Sequence, residues 1–317
     1  MPGVESTKEG ENGFKVPPDL NESSSSIDRP VVLVGSGRCG STLLQSILNT
    51  NPSFLIWGEH NGFLRHIAAA YFACAYSVLP KDDNFSVAER MDRLRDKHRW
   101  TGWDNLSGKS ELRERFRCFI RGFFVEPEAG RSRWGFKEIR YSRRTNDQTL
   151  HLMFECFPET RLMVLVRAPE PTIFSTLSRW TFSRRRDGNI DVQELDCRIL
   201  ALADRWAAQY QRLHSFCVAH APNCLQIRYE DLGDAETHQK LVQFLETDSF
   251  DYQSRIATMK NAANKTDPTA ILIWRRIDTL RDQILSRTVK VRETYGYLGN
   301  PVEGERDSGL KPNTIPL

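Results

Sequence analysis

The sequence predicts an α/β protein: an open parallel sheet flanked by helices on both faces. Three observations carry that expectation. Strand-like and helix-like segments alternate from about residue 30 to residue 245, as they do where parallel strands are joined by helical crossovers. The best strand segments are continuous apolar runs rather than alternating ones, which marks burial on both faces. The first of these runs passes through a glycine-rich turn directly into a helix.

Taken in order, Pro30-Val31-Val32-Leu33-Val34 is the first strand, β-branched and wholly apolar. The turn Gly35–Gly40 follows, and Ser41–Leu48 reads as a helix with Leu43, Leu44, Ile47 and Leu48 on one face. Phe54-Leu55-Ile56-Trp57 is a short second strand, and Gly62 to Gly122 is mostly helical, with Arg, Glu and Lys on outer faces. Trp134-Gly135-Phe136-Lys137 is a strand and its end. Asp147–Phe157 is a helix closed by Pro158. Arg161–Val166 is a further buried strand, Pro171–Arg179 opens a helix, and Gln193–Ala221 is a long one. Cys224–Tyr229 is the last strand, before a helix over Ala235–Leu245. Residues 1–29 read as a disordered tail, with Pro17-Pro18 and the run Ser23–Ser26, and 301–317 as a flexible one. One domain over 30–300 is expected between them.

Composition narrows the function. Of 317 residues, 39% are hydrophobic and 27% charged, the balance of a soluble globular chain. Forty-four Lys+Arg against 41 Asp+Glu leave a net charge of +3. That is too little for bulk attraction to nucleic acid or a membrane surface, so any anion must be met by placed charges. Seven cysteines, an odd number without a CxxC pair, read as reduced thiols and not as a disulfide frame or a zinc site. The longest apolar stretch, near Ile67–Leu79, is too short to span a bilayer. The first residues lack an apolar signal core, and a cytoplasmic location is expected.

The chemistry concentrates in the turn Gly35-Ser36-Gly37-Arg38-Cys39-Gly40-Ser41-Thr42. A strand, a glycine turn and a helix present backbone N–H groups to a phosphate. Against the nucleotide-cleaving loop G-x-x-x-x-G-K-[ST], Gly35, Gly40 and Thr42 match, and Ser41 stands where the lysine reaches the outer phosphates. The apolar strand Leu162–Val166 ends in Arg167, where such enzymes place an aspartate near Mg²⁺. The reading is a nucleotide with two separated anionic groups and no metal between them. A plain tight turn is the bland alternative.

With these residues in view, the chain resembles the PAPS-dependent sulfotransferases, which use 3′-phosphoadenosine 5′-phosphosulfate as donor on a P-loop-like α/β fold. Arg38-Cys39-Gly40-Ser41-Thr42 matches their 5′-phosphosulfate loop, [RK]-x-G-[ST]-T. Arg167 and Ser175, eight residues apart within Arg161–Trp180, match their 3′-phosphate signature. Glu59, in Trp57-Gly58-Glu59-His60, is similar to the catalytic glutamate of Golgi-type and bacterial relatives. Lys137, in Gly135-Phe136-Lys137-Glu138, resembles the lysine at the transferring sulfuryl group, and Tyr229, in Tyr229-Glu230-Asp231, the tyrosine near adenine. The Lys-Thr-His base motif and the Arg-Lys-Gly triplet of the cytosolic branch are missing, and Lys265 is the candidate substitute for the triplet. The resemblance runs from about Pro30 to Tyr297 and is looser after Glu230. It implies a soluble member of the glutamate-base branch.

What the resemblance implies is an in-line transfer of the sulfuryl group to a hydroxyl or amine of a small acceptor, without metal, leaving adenosine 3′,5′-bisphosphate. Glu59 is the expected base, with His60 its competitor. Arg38 and Lys137 stabilise oxygens, and the amides of Cys39–Thr42 cradle the 5′-phosphate. Lys137 paired with Glu138 on the surface is the alternative for that residue. Cys39 reads as loop filler or as a thiol made reactive by its helix N-terminus. Arg184-Arg185-Arg186 is either a solvated run or a rim over the donor. Phe63, Tyr71 and Phe72 are either helix core or the lining of an aromatic or lipophilic acceptor pocket. A P-loop kinase and a non-catalytic nucleotide-binding module are the competing functions.

Overall fold

The structure, a computed structural model, describes residues 28–77, 85–96, 108–125, 133–142, 147–181, 190–259 and 268–298. Five parallel strands form one sheet: β1 (Val31–Gly35), β2 (Phe54–Trp57), β3 (Arg133–Lys137), β4 (Arg161–Val166) and β5 (Cys224–Arg228), in the order β2-β3-β1-β4-β5. β1 is central, and the chain leaves it first towards the β2 edge and later towards the β5 edge. A reversal of this kind opens a crevice at the carboxyl ends of the strands, the usual ligand site of open α/β sheets.

Period-two alternation assigns the two faces. Val32, Val34, Leu162 and Val164 face a layer made by α2 (Leu64–Ser77), α4 (Lys109–Phe124), α5 (Asp147–Cys156) and the 28-residue α7 (Val192–Ala219). Val31, Leu33, Met163 and Leu165 face α1 (Ser41–Leu48) and α8 (Ala235–Leu245). All of these strand side chains are fully buried, each contributing about 1.5–3 kcal/mol, so β1 and β4 are a rigid base for whatever their ends carry.

The helical pattern after residue 62 resolves, among the described residues, into α2, α3 (Val87–Arg95) and α4. The helix expected from Pro171 begins two residues earlier, as α6 (Pro169–Thr176), and continues into a π-turn over Leu177–Thr181. Three helices escape the sequence reading: α9 (Tyr252–Met259), α10 (Pro268–Thr279) and α11 (Arg281–Thr294). α10 and α11 close a third apolar cluster with α6 and α7, through Ile173, Ile199, Ile273, Ile277 and Ile284. The tails expected at 1–29 and 301–317 lie outside the described residues, apart from Asp28, ion-paired to Arg117 and Arg121, and Arg29, paired to Glu246.

Candidate active site

Every strand delivers one candidate residue at its carboxyl end. β1 runs into the turn 36–40, whose geometry is set by two close approaches. A Cβ on Gly35 would sit 2.6 Å from the carbonyl oxygen of Leu165. Gly40 has φ +92°, and a Cβ there would sit 2.2 Å from the ring of Tyr229, so only glycine fits. No side-chain oxygen caps α1, so its N-terminus is of the kind that can offer amides to an anion. Arg38 holds φ 70°, a strained conformation for an arginine. Tyr210 of α7 fixes the turn from below: its hydroxyl donates to the carbonyl of Leu165 (2.9 Å) and receives the Ser36 N–H (3.0 Å).

The 3′-phosphate candidates sit against the same turn. Arg38 Nε donates to Ser175 Oγ at 3.0 Å, and Arg167 Nη1 donates to the Arg38 carbonyl at 3.4 Å. The Arg167 guanidinium lies 4.5 Å from the centre of the Tyr229 ring, a cation–π contact. Arg167 Nε is buried with no partner among the described residues. Glu230, next to Tyr229, receives the Ala168 N–H (2.9 Å) and the Tyr297 hydroxyl (2.7 Å), tying the ends of β4 and β5 together. Tyr229 itself leaves the strand and opens a 3₁₀ turn. Lys265 and the run Arg184–Arg186 lie outside the described residues.

Glu59 and Lys137 meet across β2 and β3. Lys137 Nζ donates to Glu59 Oε1 at 2.8 Å and to Thr42 Oγ1 at 3.3 Å. The lysine side chain is 8% exposed and the glutamate 31%, so Lys137 is no surface lysine and its partner is not Glu138. Arg140 supplies the second contact to Glu59, Nη1 to Oε2 at 3.2 Å. The same guanidinium reaches Glu138 at 2.9 Å. Glu138, fully buried, also receives the Gly62 N–H (2.7 Å) and the Arg140 N–H (3.1 Å). Sequence reasoning missed Arg140; its one signal was a cation three residues beyond Lys137.

His60 goes elsewhere. Its Nε2 is 2.5 Å from the Tyr141 hydroxyl, and its ring packs against Phe63, Phe124 and Phe136. Burial holds the imidazole below its ordinary pKa, with Glu138 and Arg140 adding smaller, opposed influences. The Tyr141 hydroxyl, pushed up well beyond the ordinary tyrosine range chiefly by burial, accepts the Leu64 N–H at 3.0 Å. Tyr71 is core, and Phe63 and Phe72, half-buried, pack on it, which favours the helix-core reading of these aromatics over the pocket-lining one. A cleft of about 340 Å³ opens between α6 and α7, bounded by Gly37, Arg38, Ile139 and Trp206.

Cys39 fits the loop-filler reading rather than that of a reactive thiol. The thiol is fully buried, and burial raises its pKa more strongly than the Ser41 hydrogen bonds lower it. A thiol reagent at neutral pH is expected to label the exposed Cys74 and Cys197 and to spare Cys39 until the chain unfolds. Peptide mapping after a short exposure checks this; early labelling of Cys39 would show an open turn.

The chain matches a family model described as "Sulfotransferase family" over residues 30–251. The sulfotransferase domain of the olefin synthase of Synechococcus PCC 7002 is similar to it, at 18% identity and a TM-score of 0.50 over 88% of this chain and 98% of that one. The sulfotransferase domain of the curacin biosynthetic pathway aligns at 15% identity and TM-score 0.48, over 86% and 99%. A mouse sulfotransferase complexed with PAP aligns at 14% and 0.41, over 85% and 88%. No curated protein sequence matches the chain.

Proposed function

The chain belongs to the sulfotransferase family, so it is an enzyme of sulfuryl transfer, and we propose that its donor is 3′-phosphoadenosine 5′-phosphosulfate and its acceptor a hydroxyl or amine of a small molecule. One observation carries this reading: the Lys137 ammonium is bonded at once to Thr42 of the glycine turn and to Glu59. A single cation thus joins the place suited to a phosphosulfate with the carboxylate suited to take a proton.

Three features fit the donor. The uncapped N-terminus of α1 offers amides to the 5′-phosphate. Arg167, whose Nε has no partner among the described residues, and Ser175 both touch Arg38 and are assigned the second anion site. Tyr229, between Gly40 and Arg167, offers a ring for the adenine. Lys265 is retained as a 3′-phosphate candidate on the sequence alone.

In the transfer, the acceptor oxygen bonds to sulfur as the bond from sulfur to the phosphate oxygen breaks, and the acceptor's proton passes to Glu59. Charge spreads over the equatorial sulfuryl oxygens and the leaving phosphate. Lys137 and Arg38 stand where fixed cations stabilise that charge most, because they need no reorganisation at the moment of reaction. Glu59 is preferred to His60 because it touches Lys137, whereas the His60 Nε2 is held by Tyr141.

Thermal shift tests the donor. Adenosine 3′,5′-bisphosphate at a hundredfold excess over its dissociation constant is expected to add about 2.7 kcal/mol to folding, several degrees in Tm, and ATP with Mg²⁺ much less. Stabilisation by ATP/Mg²⁺ alone would favour a kinase. Tight bisphosphate binding with no transfer to any acceptor would favour a binding module.

A further inference from the structure

The cleft between α6 and α7 has an uneven lining. Ile139, Ile173, Leu177, Leu202 and Trp206 make an apolar wall, with the Trp206 ring fixed by its N–H bond to the Arg167 carbonyl (3.0 Å). Three arginines, Arg38, Arg198 and Arg205, line the same space, and no carboxylate does among the described residues. Arg198 is held by Glu194 through Nε (2.9 Å) and Nη2 (2.6 Å). Asp204, the carboxylate beside Arg205 in sequence, is paired instead with Arg287. Arg205 is exposed and has no partner among the described residues. None of Gly40, Ser41, Thr42, Arg167 and Ser175 lines the cleft, and neither Glu59 nor Lys137 does; it adjoins the glycine turn at Ser36, Gly37 and Arg38.

We propose that this cleft takes the acceptor and that the acceptor is itself an anion. It is an apolar, preferably aromatic, body carrying the hydroxyl or amine near Arg38 and an oxyanion group, such as a carboxylate, at Arg205. The proposal rests on the sulfuryl-transfer reading above and adds the substrate class. A neutral lipophilic acceptor would use the apolar wall and leave Arg205 idle. An oxyanion receives charge-assisted, forked hydrogen bonds from it, in a concave site whose walls focus the field of the arginines.

The test pairs each of several hydroxyaryl carboxylates, 4-hydroxyphenylacetate among them, with its own methyl ester. Transfer from sulfur-labelled donor is read as kcat/KM, with adenosine 3′,5′-bisphosphate binding followed in parallel. The acids are expected to exceed their esters by about tenfold or more, the scale of one charge-assisted hydrogen bond. Arg205→Ala is expected to bring that ratio near one and Arg205→Glu to invert it, with bisphosphate binding within about threefold of the parent. The ratio is taken within each variant, so a lower yield of folded protein does not disturb it. Esters preferred by the parent, transfer to neither series, or a preference that survives both substitutions would overturn the proposal. So would loss of bisphosphate binding in Arg205→Ala, which would give the arginine to the donor. A parent chain that does not bind the bisphosphate at all would instead fail the donor reading on which the proposal rests.

Discussion

Glu59→Gln is expected to lower kcat by about 10²–10⁴-fold, the usual contribution of a general base, while adenosine 3′,5′-bisphosphate binds as before. The amide keeps the shape of the carboxylate and can still accept from Lys137 (2.8 Å in the parent) through its oxygen, but it cannot take a proton. Folding should survive, because the amide oxygen still accepts from the buried Lys137 ammonium and the Glu59 side chain is itself 31% exposed. The measurement is turnover against Tm in the same preparation. Near-normal turnover in a well-folded variant would remove Glu59 from the base role. His60→Gln is the matched comparison: if it alone abolished turnover at unchanged Tm, the histidine would be the base, despite its aromatic surroundings.

The parts of this site that were legible in the sequence are those fixed by local pattern. Val31–Val34 and Leu162–Val166 announce buried strands by composition alone, and Arg38, Lys137 and Arg167 stand out as cations at or just after strand ends. Ion-pair partners are a different matter, because strand register decides them. Trp57 pairs with Phe136, which brings Glu59 and Lys137 together, each just past or at the end of its strand; nothing in the spacing of 78 residues says so. The lysine's sequence neighbour, Glu138, belongs to Arg140 for the same reason: successive residues at a strand end point to opposite sides.

The aromatics were illegible for another reason. Phe63, Tyr71 and Phe72 have the composition of a pocket and of a core alike, and the choice depends on α4 and α5, which cover them with Phe116, Ile120, Phe124 and Leu152. The cleft beside Arg38, conversely, joins residues of α6 and α7 that are separated by the π-turn and by the run Arg184-Arg185-Arg186, so its arginines read in sequence as ordinary helix surface.

Glu138→Ala is expected to be the most damaging single change to stability at this site, lowering Tm on the order of 10 °C. The Glu138 side chain is fully buried and accepts from the Arg140 guanidinium, the Arg140 N–H and the Gly62 N–H. Removing it orphans buried donors at the turn that follows Glu59. Breaking a buried pair in this way costs about 3–5 kcal/mol, and at this chain length each kcal/mol moves Tm by about 2–4 °C. Number of ion pairs is not the governing quantity. Glu246 gathers Arg29, Arg133 and Arg161 within 4.0 Å, more cations than Glu138 has. Its side chain is 49% exposed, however, and solvent screens each pair to a fraction of a kcal/mol. Glu246→Ala is therefore expected to lower Tm by only about 2–4 °C. Calorimetry on the two variants decides the matter: if Glu246→Ala fell as far as Glu138→Ala, burial would not be what gives the Glu138 cluster its hold on the turn. With Glu138 gone, Arg140 also loses the carboxylate that aims it at Glu59. The variant should then lose turnover even below its melting temperature, whereas Glu246→Ala, on the opposite end of the sheet, should keep it.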